Sequence, residues 1–182
     1  MVEEMVLPFA GFATYVRVRQ YEMDVLGHVN NAVYLHYLEQ AAVEHADALS
    51  FTIERLRELG GLFIARRHEI DYLRPATAGD TLEVVTWVTA MRGARAVREY
   101  AIQPWRPPQH EGGLPDGRLV PAGFALSDQP VVRARTEWAW VDSATGRPRR
   151  MPAELQAPFL RAAPPLAALA DTPVFPPGPG TP

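Results

Sequence analysis

The sequence of 182 residues contains no cysteine. Disulfide bonds, thiolate nucleophiles and zinc sites built on thiolates are therefore excluded, and this composition agrees with a reducing compartment. We accordingly predict a cytoplasmic location. The sequence also lacks a basic excess, because 18 lysine and arginine residues face 21 aspartate and glutamate residues, and the net charge is −3. This balance does not favour a nucleic-acid partner.

Long apolar runs are absent as well. No uninterrupted apolar segment approaches the ~18 residues that a membrane-spanning helix needs, and the acidic start Met1–Met5 does not resemble a signal peptide. We therefore expect no membrane association. The chain does contain 47% hydrophobic residues, which is enough for one sizeable core. We predict a single domain over residues 1–161 and a flexible tail, rich in proline and alanine, over residues 162–182.

Proline and glycine are concentrated in one internal stretch, residues 104–130. Six prolines and four glycines fall within these residues. Since proline removes backbone donors, the stretch is not expected to supply a central strand. Its length exceeds that of ordinary connections, so we predict a long loop that is either functional or disordered.

In the rest of the chain, apolar residues recur either at every second position, as in strands, or at helical spacing. Residues 12–20 alternate apolar and polar positions as a strand does, and residues 32–49 repeat apolar positions at helical spacing. A short helix is predicted at 52–59, ended by Gly60 and Gly61. Four further strands are predicted at residues 62–73, 81–91, 95–103 and 131–141. One long helix followed by a meander of strands indicates an α+β fold with an antiparallel sheet and the helix on one face.

A polar loop joins the first strand to the long helix. This loop carries one acidic residue, Asp24, and ends at Asn30 and Asn31, either of which is a plausible N-cap. The arrangement can hold a carboxylate beside the free N–H groups of a helix start. Such a pair suits attack on a carbonyl group, since the carboxylate acts as base or nucleophile and the N–H groups stabilise an oxyanion.

Three segments resemble one family. The first is Asp24-x-x-Gly27-His28-Val29-Asn30-Asn31-x-x-Tyr34, the second is residues 71–76 followed by Gly79-Asp80, and the third is residues 140–148. Together they resemble the hotdog-fold acyl-CoA thioesterases, in particular the 4-hydroxybenzoyl-CoA thioesterase-like enzymes and bacterial relatives of acyl-ACP thioesterases. The resemblance covers roughly residues 12–155.

This resemblance implies a long helix wrapped by a curved antiparallel sheet, in a homodimer or homotetramer whose active sites lie between subunits. It implies an acyl-CoA substrate and no cofactor. Asp24 would be the general base or nucleophile, and the backbone N–H of Asn31 the oxyanion donor. Surface arginines would hold the CoA phosphates. The stretch at 104–130 departs from the family, whose members have a short turn there, and it could cover the active-site mouth or the CoA site or be a disordered decoration. The candidate arginines are Arg66, Arg67, Arg92 and Arg95, with Arg98 in the same cluster.

Other interpretations stay open. Asp24 could be an ordinary turn residue. Gly27 and His28 are also candidate catalytic positions, although His28 is more simply a structural residue of the loop. Asn30, Tyr34 and Glu39 are candidate substrate contacts, with helix capping, core packing and solvation as the alternatives. No spacing of ligands predicts a metal site. The rival functions are an acyl-ACP or polyketide-releasing thioesterase and a non-catalytic acyl-CoA-binding module.

Overall fold

The computed structural model describes residues 10–106 and 113–160. The predicted tail at 162–182 and residues 107–112 of the predicted loop lie outside this range. The elements follow the order β1 (Gly11–Arg17), α1 (Asn31–Ala48), α2 (Ile53–Glu58), β2 (Gly61–Tyr72), β3 (Thr81–Arg92), β4 (Arg95–Pro104), β5 (Arg118–Val120), β6 (Val132–Asp142) and α3 (Ala153–Phe159), with a 3₁₀ turn at Gln20–Glu22. The predicted α+β class is confirmed.

Local chemistry explains where the two predicted helices begin and end. The side chain of Asn30 accepts a hydrogen bond from the N–H of Ala32, so Asn30 is the N-cap of α1. Thr52 caps α2 in the same way, through a bond from the N–H of Arg55. Gly60 follows α2 with a φ of +82°, a conformation that glycine adopts without a steric penalty.

The six strands form one antiparallel sheet in the order β2-β6-β4-β3-β1-β5. The predicted meander is therefore only partly correct. β3, β4 and β6 are neighbours, but β2 lies beyond β6 and does not pair with β3, the strand that follows it in the chain. β1 returns to the other side of β3. The sheet thus encloses β4 and β3 at its centre and leaves β2 as an edge.

One face of the sheet packs on α1. Tyr34, Leu38 and Ala41 of the helix are buried against alternate residues of β3 and β4, such as Val84 and Tyr100. The small side chain of Ala41 lets the helix lie close to the sheet, as the sequence predicted. This layer fixes the direction of α1 and, with it, the position of the loop that precedes the helix.

The predicted loop at 104–130 contains a strand, which corrects its description as wholly irregular. β5 adds three residues to the outer edge of β1. Beyond it, Phe124 and Leu126 pack on Val85 and Ala101, whose side chains point away from α1. This part of the insertion therefore covers the face of the sheet opposite the long helix.

A second cluster closes the end of the molecule where α1 finishes. Phe51 and Leu56 meet Trp140 of β6 and Phe159 of α3. Helix α3 was not predicted from the sequence. It contains Pro158 and is followed by further prolines, a composition that favours loop over helix.

Candidate active site

The loop before α1 is a tight turn built around one carboxylate. Asp24 Oδ1 accepts hydrogen bonds from the N–H of Leu26 at 2.8 Å and of His28 at 3.3 Å. The N–H of Asp24 donates back to the carbonyl of His28 at 2.8 Å, and Gly27 has a φ of +78° inside the turn. Asp24 is half-buried. Its Oδ1 orients the loop, while Oδ2 accepts no hydrogen bond from the described residues.

The start of α1 lies directly beside this turn. Met23 and Val29 form an isolated antiparallel bridge, so the two ends of the loop are adjacent. Asn30 caps the N–H of Ala32, and within residues 10–106 and 113–160 no acceptor meets the N–H of Asn31. That group is one of the free donors with which every helix begins, and the helix dipole adds partial positive charge there.

A buried carboxylate that the sequence did not single out holds the loop to the helix. Glu22 accepts a hydrogen bond from the hydroxyl of Tyr37 at 2.8 Å and from the N–H of Arg19 at 2.7 Å. Burial, together with the negative charge of Glu22, raises the pKa of Tyr37 above its usual range. The only available signal was the position of Glu22 two residues before Asp24, which does not separate a loop anchor from a surface acid.

Two tyrosines form the wall next to Asn31. The Tyr72 hydroxyl donates to the carbonyl of Asn31 at 3.1 Å, and its ring centroid lies 5.7 Å from that of Tyr34. Tyr34 is buried, and this burial raises its pKa to about 12. Tyr34 is thus a neutral wall of the core, and its role as a substrate contact stays a prediction. His28 is exposed and reaches Asp24 through its backbone.

Apolar side chains are exposed around the same loop. Val25 is fully exposed and Leu26 is 75% exposed at the tip of the turn. Tyr72 and Leu73, at the end of the edge strand β2, are about half exposed. Val25 and Leu26 belong to the loop that leads to Asn31, and Tyr72 contacts Asn31, so the candidate site has an apolar rim.

Three of the four candidate arginines come together. Arg66, Arg67 and Arg95 line a depression of about 440 Å³ with Glu137. A β-bulge at Ala65/Arg67 brings Arg66 and Arg67 to the same depression. Arg95 forms an ion pair with Glu137, and Arg67 forms one with Glu69.

The other two arginines of the predicted cluster lie elsewhere. Arg92 is exposed at the β3–β4 turn and does not line this depression. Arg98 is only 6% exposed, so its assignment to a surface cluster that holds phosphates was wrong. The β4 register places it on the α1 side of the sheet, where it is buried.

Glu39 lies away from the Asp24 loop, further along α1. It is exposed and lines a separate apolar cavity of about 230 Å³ between the second half of α1 and the sheet. Its contact with substrate stays a prediction. Across residues 10–106 and 113–160, no cluster of three or more histidine or acidic side chains could hold a metal ion. No helix in the same ranges is long and apolar enough to cross a membrane.

Comparison with known proteins identifies the family. The family model described as "Thioesterase-like superfamily" matches residues 18–159. This chain belongs to that superfamily. The acyl-CoA thioesterase YbgC of Haemophilus influenzae is 31% identical over 150 residues, which cover 82% of this chain and 94% of the relative.

Two further comparisons define how far the likeness to this superfamily extends. The acyl-acyl carrier protein thioesterase ATL2 of Arabidopsis thaliana, a chloroplastic protein, is 26% identical over 79% of this chain, which spans 65% of the plant protein. The crystal structure of a probable thioesterase from Bartonella henselae superposes with a TM-score of 0.61 at 24% identity, covering 78% of this chain and 99% of that structure. The predicted hotdog architecture is therefore confirmed.

Proposed function

We propose that this protein hydrolyses the thioester of an acyl-CoA to a free carboxylic acid and CoA. The observation that carries the proposal is the position of Asp24 in a tight turn that leads directly into α1, where the N–H of Asn31 meets no acceptor among the described residues. Membership of the thioesterase-like superfamily and the similarity to YbgC support the same reaction.

The proposed reaction needs a base and an oxyanion donor. Asp24 Oδ2 accepts a proton from a water molecule, whose oxygen forms a bond to the thioester carbon. The carbonyl electrons move onto the oxygen, which the N–H of Asn31 stabilises in the field of the helix dipole. As the carbonyl re-forms, the C–S bond breaks and CoA leaves as a thiolate that takes up a proton.

A second route uses the same two groups. Asp24 attacks the thioester carbon directly, CoA leaves, and the resulting mixed anhydride is hydrolysed by water. In both routes Gly27 and His28 act through the backbone, because they set the turn and donate an N–H to Asp24. Asn30 holds the first turn of α1, so that the N–H of Asn31 stays in place.

Substrate binding and assembly complete the proposal. The depression with Arg66, Arg67 and Arg95 offers guanidinium groups to the CoA phosphates, since the planar fork of arginine matches phosphate oxygens. Arg92 lies outside the depression but is the register partner of Arg95 across the β3–β4 turn, so it adds positive charge beside the phosphates, and Tyr34 and Glu39 contact the acyl part. The open edge of β2 and the exposed side chains of Val25 and Leu26 support a homodimer or homotetramer in which a second subunit covers them.

The test is release of CoA from acyl-CoAs of increasing length and from benzoyl-CoA, followed with a thiol reagent. The protein adds no thiol background because it contains no cysteine. Asp24→Asn removes the base but keeps an Oδ1 acceptor for Leu26 and His28, so we expect an unchanged fold and turnover reduced about 10²–10⁴-fold. Asp47→Asn, at an exposed position of α1, is the matched control and should keep full activity. A folded, fully active Asp24→Asn enzyme would refute the mechanism.

A second candidate function is hydrolysis of an acyl chain carried on an acyl carrier protein, which the similarity to ATL2 favours. The chemistry at Asp24 and Asn31 would be the same, because both thioesters have the same reacting group. The two candidate functions are distinguished by comparing turnover of CoA and carrier-protein thioesters that carry the same acyl chain. Turnover of the carrier-protein form alone would select the second candidate, and binding of both without turnover would indicate a non-catalytic module.

A further inference from the structure

The cavity of about 230 Å³ behind α1 is mainly apolar. Its walls come from the second half of α1, from α2, from α3 and from the ends of the central strands. Ala42, Leu56, Phe159 and Met91 represent α1, α2, α3 and the central strands in turn. Such a surface accepts a hydrocarbon chain, and it lies beyond the Asp24 loop along the helix.

One charged group is buried in this apolar wall. Arg98 lines the cavity and is 6% exposed. Its Nη1 donates to Nδ1 of His45 at 2.9 Å and to the hydroxyl of Thr86 at 3.2 Å, and its guanidinium carbon lies 5.7 Å from the centre of the Phe159 ring. Among the described residues, Arg98 forms no salt bridge with a carboxylate.

The neighbours of Arg98 do not supply the missing negative charge. A guanidinium group only donates hydrogen bonds, so Nδ1 of His45 accepts and the imidazole is neutral. Burial, with the charge of Arg98 beside it, lowers the pKa of His45 to about 2. The guanidinium is therefore surrounded by a neutral ring, a hydroxyl group and an aromatic face.

A buried cation normally has an anionic partner, because removal of a charge from water is costly unless it is compensated. We propose that the cavity is a binding site for an alkyl carboxylate, with the chain on the apolar walls and the carboxylate on Arg98. The Nε and Nη2 groups make no hydrogen bond with the described residues and form the planar fork that binds a carboxylate with two bonds. Glu39 is exposed at the rim and repels a carboxylate there, which directs the charged end inward.

The volume limits the length of the chain. An apolar cavity of about 150 Å³ accepts benzene, with six carbon atoms, and by proportion about 230 Å³ accepts roughly nine heavy atoms. Octanoate, with eight carbon atoms and two oxygen atoms, is close to this size. Two kinds of ligand have an alkyl chain that ends in a carboxylate. One is a free fatty acid, and the other is an acyl thioester with a free carboxylate at the end away from the thioester.

Calorimetric titration of the full chain with octanoate and with 1-octanol tests the site without any turnover. We expect the wild-type protein to bind octanoate at least about ten-fold more tightly than the alcohol. Arg98→Met fills a similar volume without charge, and it should remove this preference while 1-octanol still binds. Retained binding of the alcohol also shows that the cavity of the variant is intact. Arg55→Met, at an exposed position of α2, is the control and should behave as wild type.

Equal affinity of the wild-type protein for octanoate and 1-octanol would overturn the proposal, and so would an unchanged preference in Arg98→Met. The wild-type comparison is decisive even if the variant does not fold. Because the titration needs no hydrolysis, failure of the proposed thioesterase activity does not affect its outcome. To assign the source, hydrolysis of octanoyl-CoA is compared with that of the mono-CoA thioester of the eight-carbon dicarboxylic acid. A preference for the latter that depends on Arg98 assigns the site to the substrate, and octanoate binding without such a preference assigns it to a free acid.

Discussion

The most instructive perturbation is at Glu99, a buried carboxyl group on the face of the sheet opposite α1. Glu99 is 1% exposed, and its Oε2 has no hydrogen-bond partner among the described residues. Arg135 on β6 lies 3.7 Å from Oε1, and Glu69 on β2 faces the same arginine. Burial raises the pKa of Glu99 to about 7, against the lowering effect of Arg135 and with a further increase from Glu69.

The pH dependence follows from the direction of this change. The ordinary pKa of 4.5 applies to the unfolded chain, so between about pH 4.5 and 7 the folded state binds more protons than the unfolded state. The contribution of Glu99 to stability is therefore fully present below pH 4.5 and is lost as the pH rises through 7. At about 1.4 kcal/mol for each unit of pKa, the loss amounts to about 3 kcal/mol.

Glu99→Gln preserves the shape of the side chain and removes its titration. The free energy of unfolding is measured with urea at pH 5 and at pH 8. Between these pH values, the free energy of unfolding of the wild-type protein should fall by about 2–3 kcal/mol relative to that of the variant. Glu58→Gln, at an exposed position of α2, controls for a general loss of negative charge. An equal difference between variant and wild type at both pH values would refute the reasoning, because Glu99 would then not change its protonation in this range.

Two further changes test the capping of α1 and the packing at the end of the molecule where α1 finishes. Asn30→Ala removes the cap of α1 and should lower the melting temperature by about 2–4 °C, as expected for about 1 kcal/mol in a chain of this size, whereas Asn30→Ser keeps an acceptor and should melt near the wild type in a thermal scan. Gly61→Ala places a Cβ 2.5 Å from the ring of Trp140 and should destabilise the fold by about 1–3 kcal/mol in urea. Gly113→Ala has open space and should be neutral; an equally stable Gly61→Ala would contradict the close approach of Gly61 to Trp140.

The sequence predicted the long elements well because their periodicity is local and strong. α1 was expected at residues 32–49 and occupies Asn31–Ala48, and the four long strands fall within about two residues of their predicted bounds. Except for β2, which contains a polar run at residues 66–69, each of these elements repeats an apolar pattern over ten or more residues. The capping oxygen of Asn30 acts on the next turn of the chain, so the start of the helix was also readable.

Elements that depend on distant partners were not predicted. The three residues of β5 are a strand because they add to the edge of β1, and their own composition gives no such indication. Pairing of β2 with β6 rather than β3 joins residues about seventy positions apart. Helix α3 is held by Phe51 and Trp140 from other parts of the chain rather than by helix propensity.

The same distinction separates the two sites. Asp24 and Asn31 are seven positions apart in one loop, so a motif in the sequence was sufficient to propose their pairing. Arg98 and His45 are joined only because β4 packs under α1, and the sequence placed Arg98 among surface cations. Arginine is ambiguous in a strand whose two faces are both covered, since only the register of the sheet decides which face it occupies. The proposed reaction therefore depends on local sequence, whereas the proposed carboxylate site depends on tertiary structure and needed the fold to become visible.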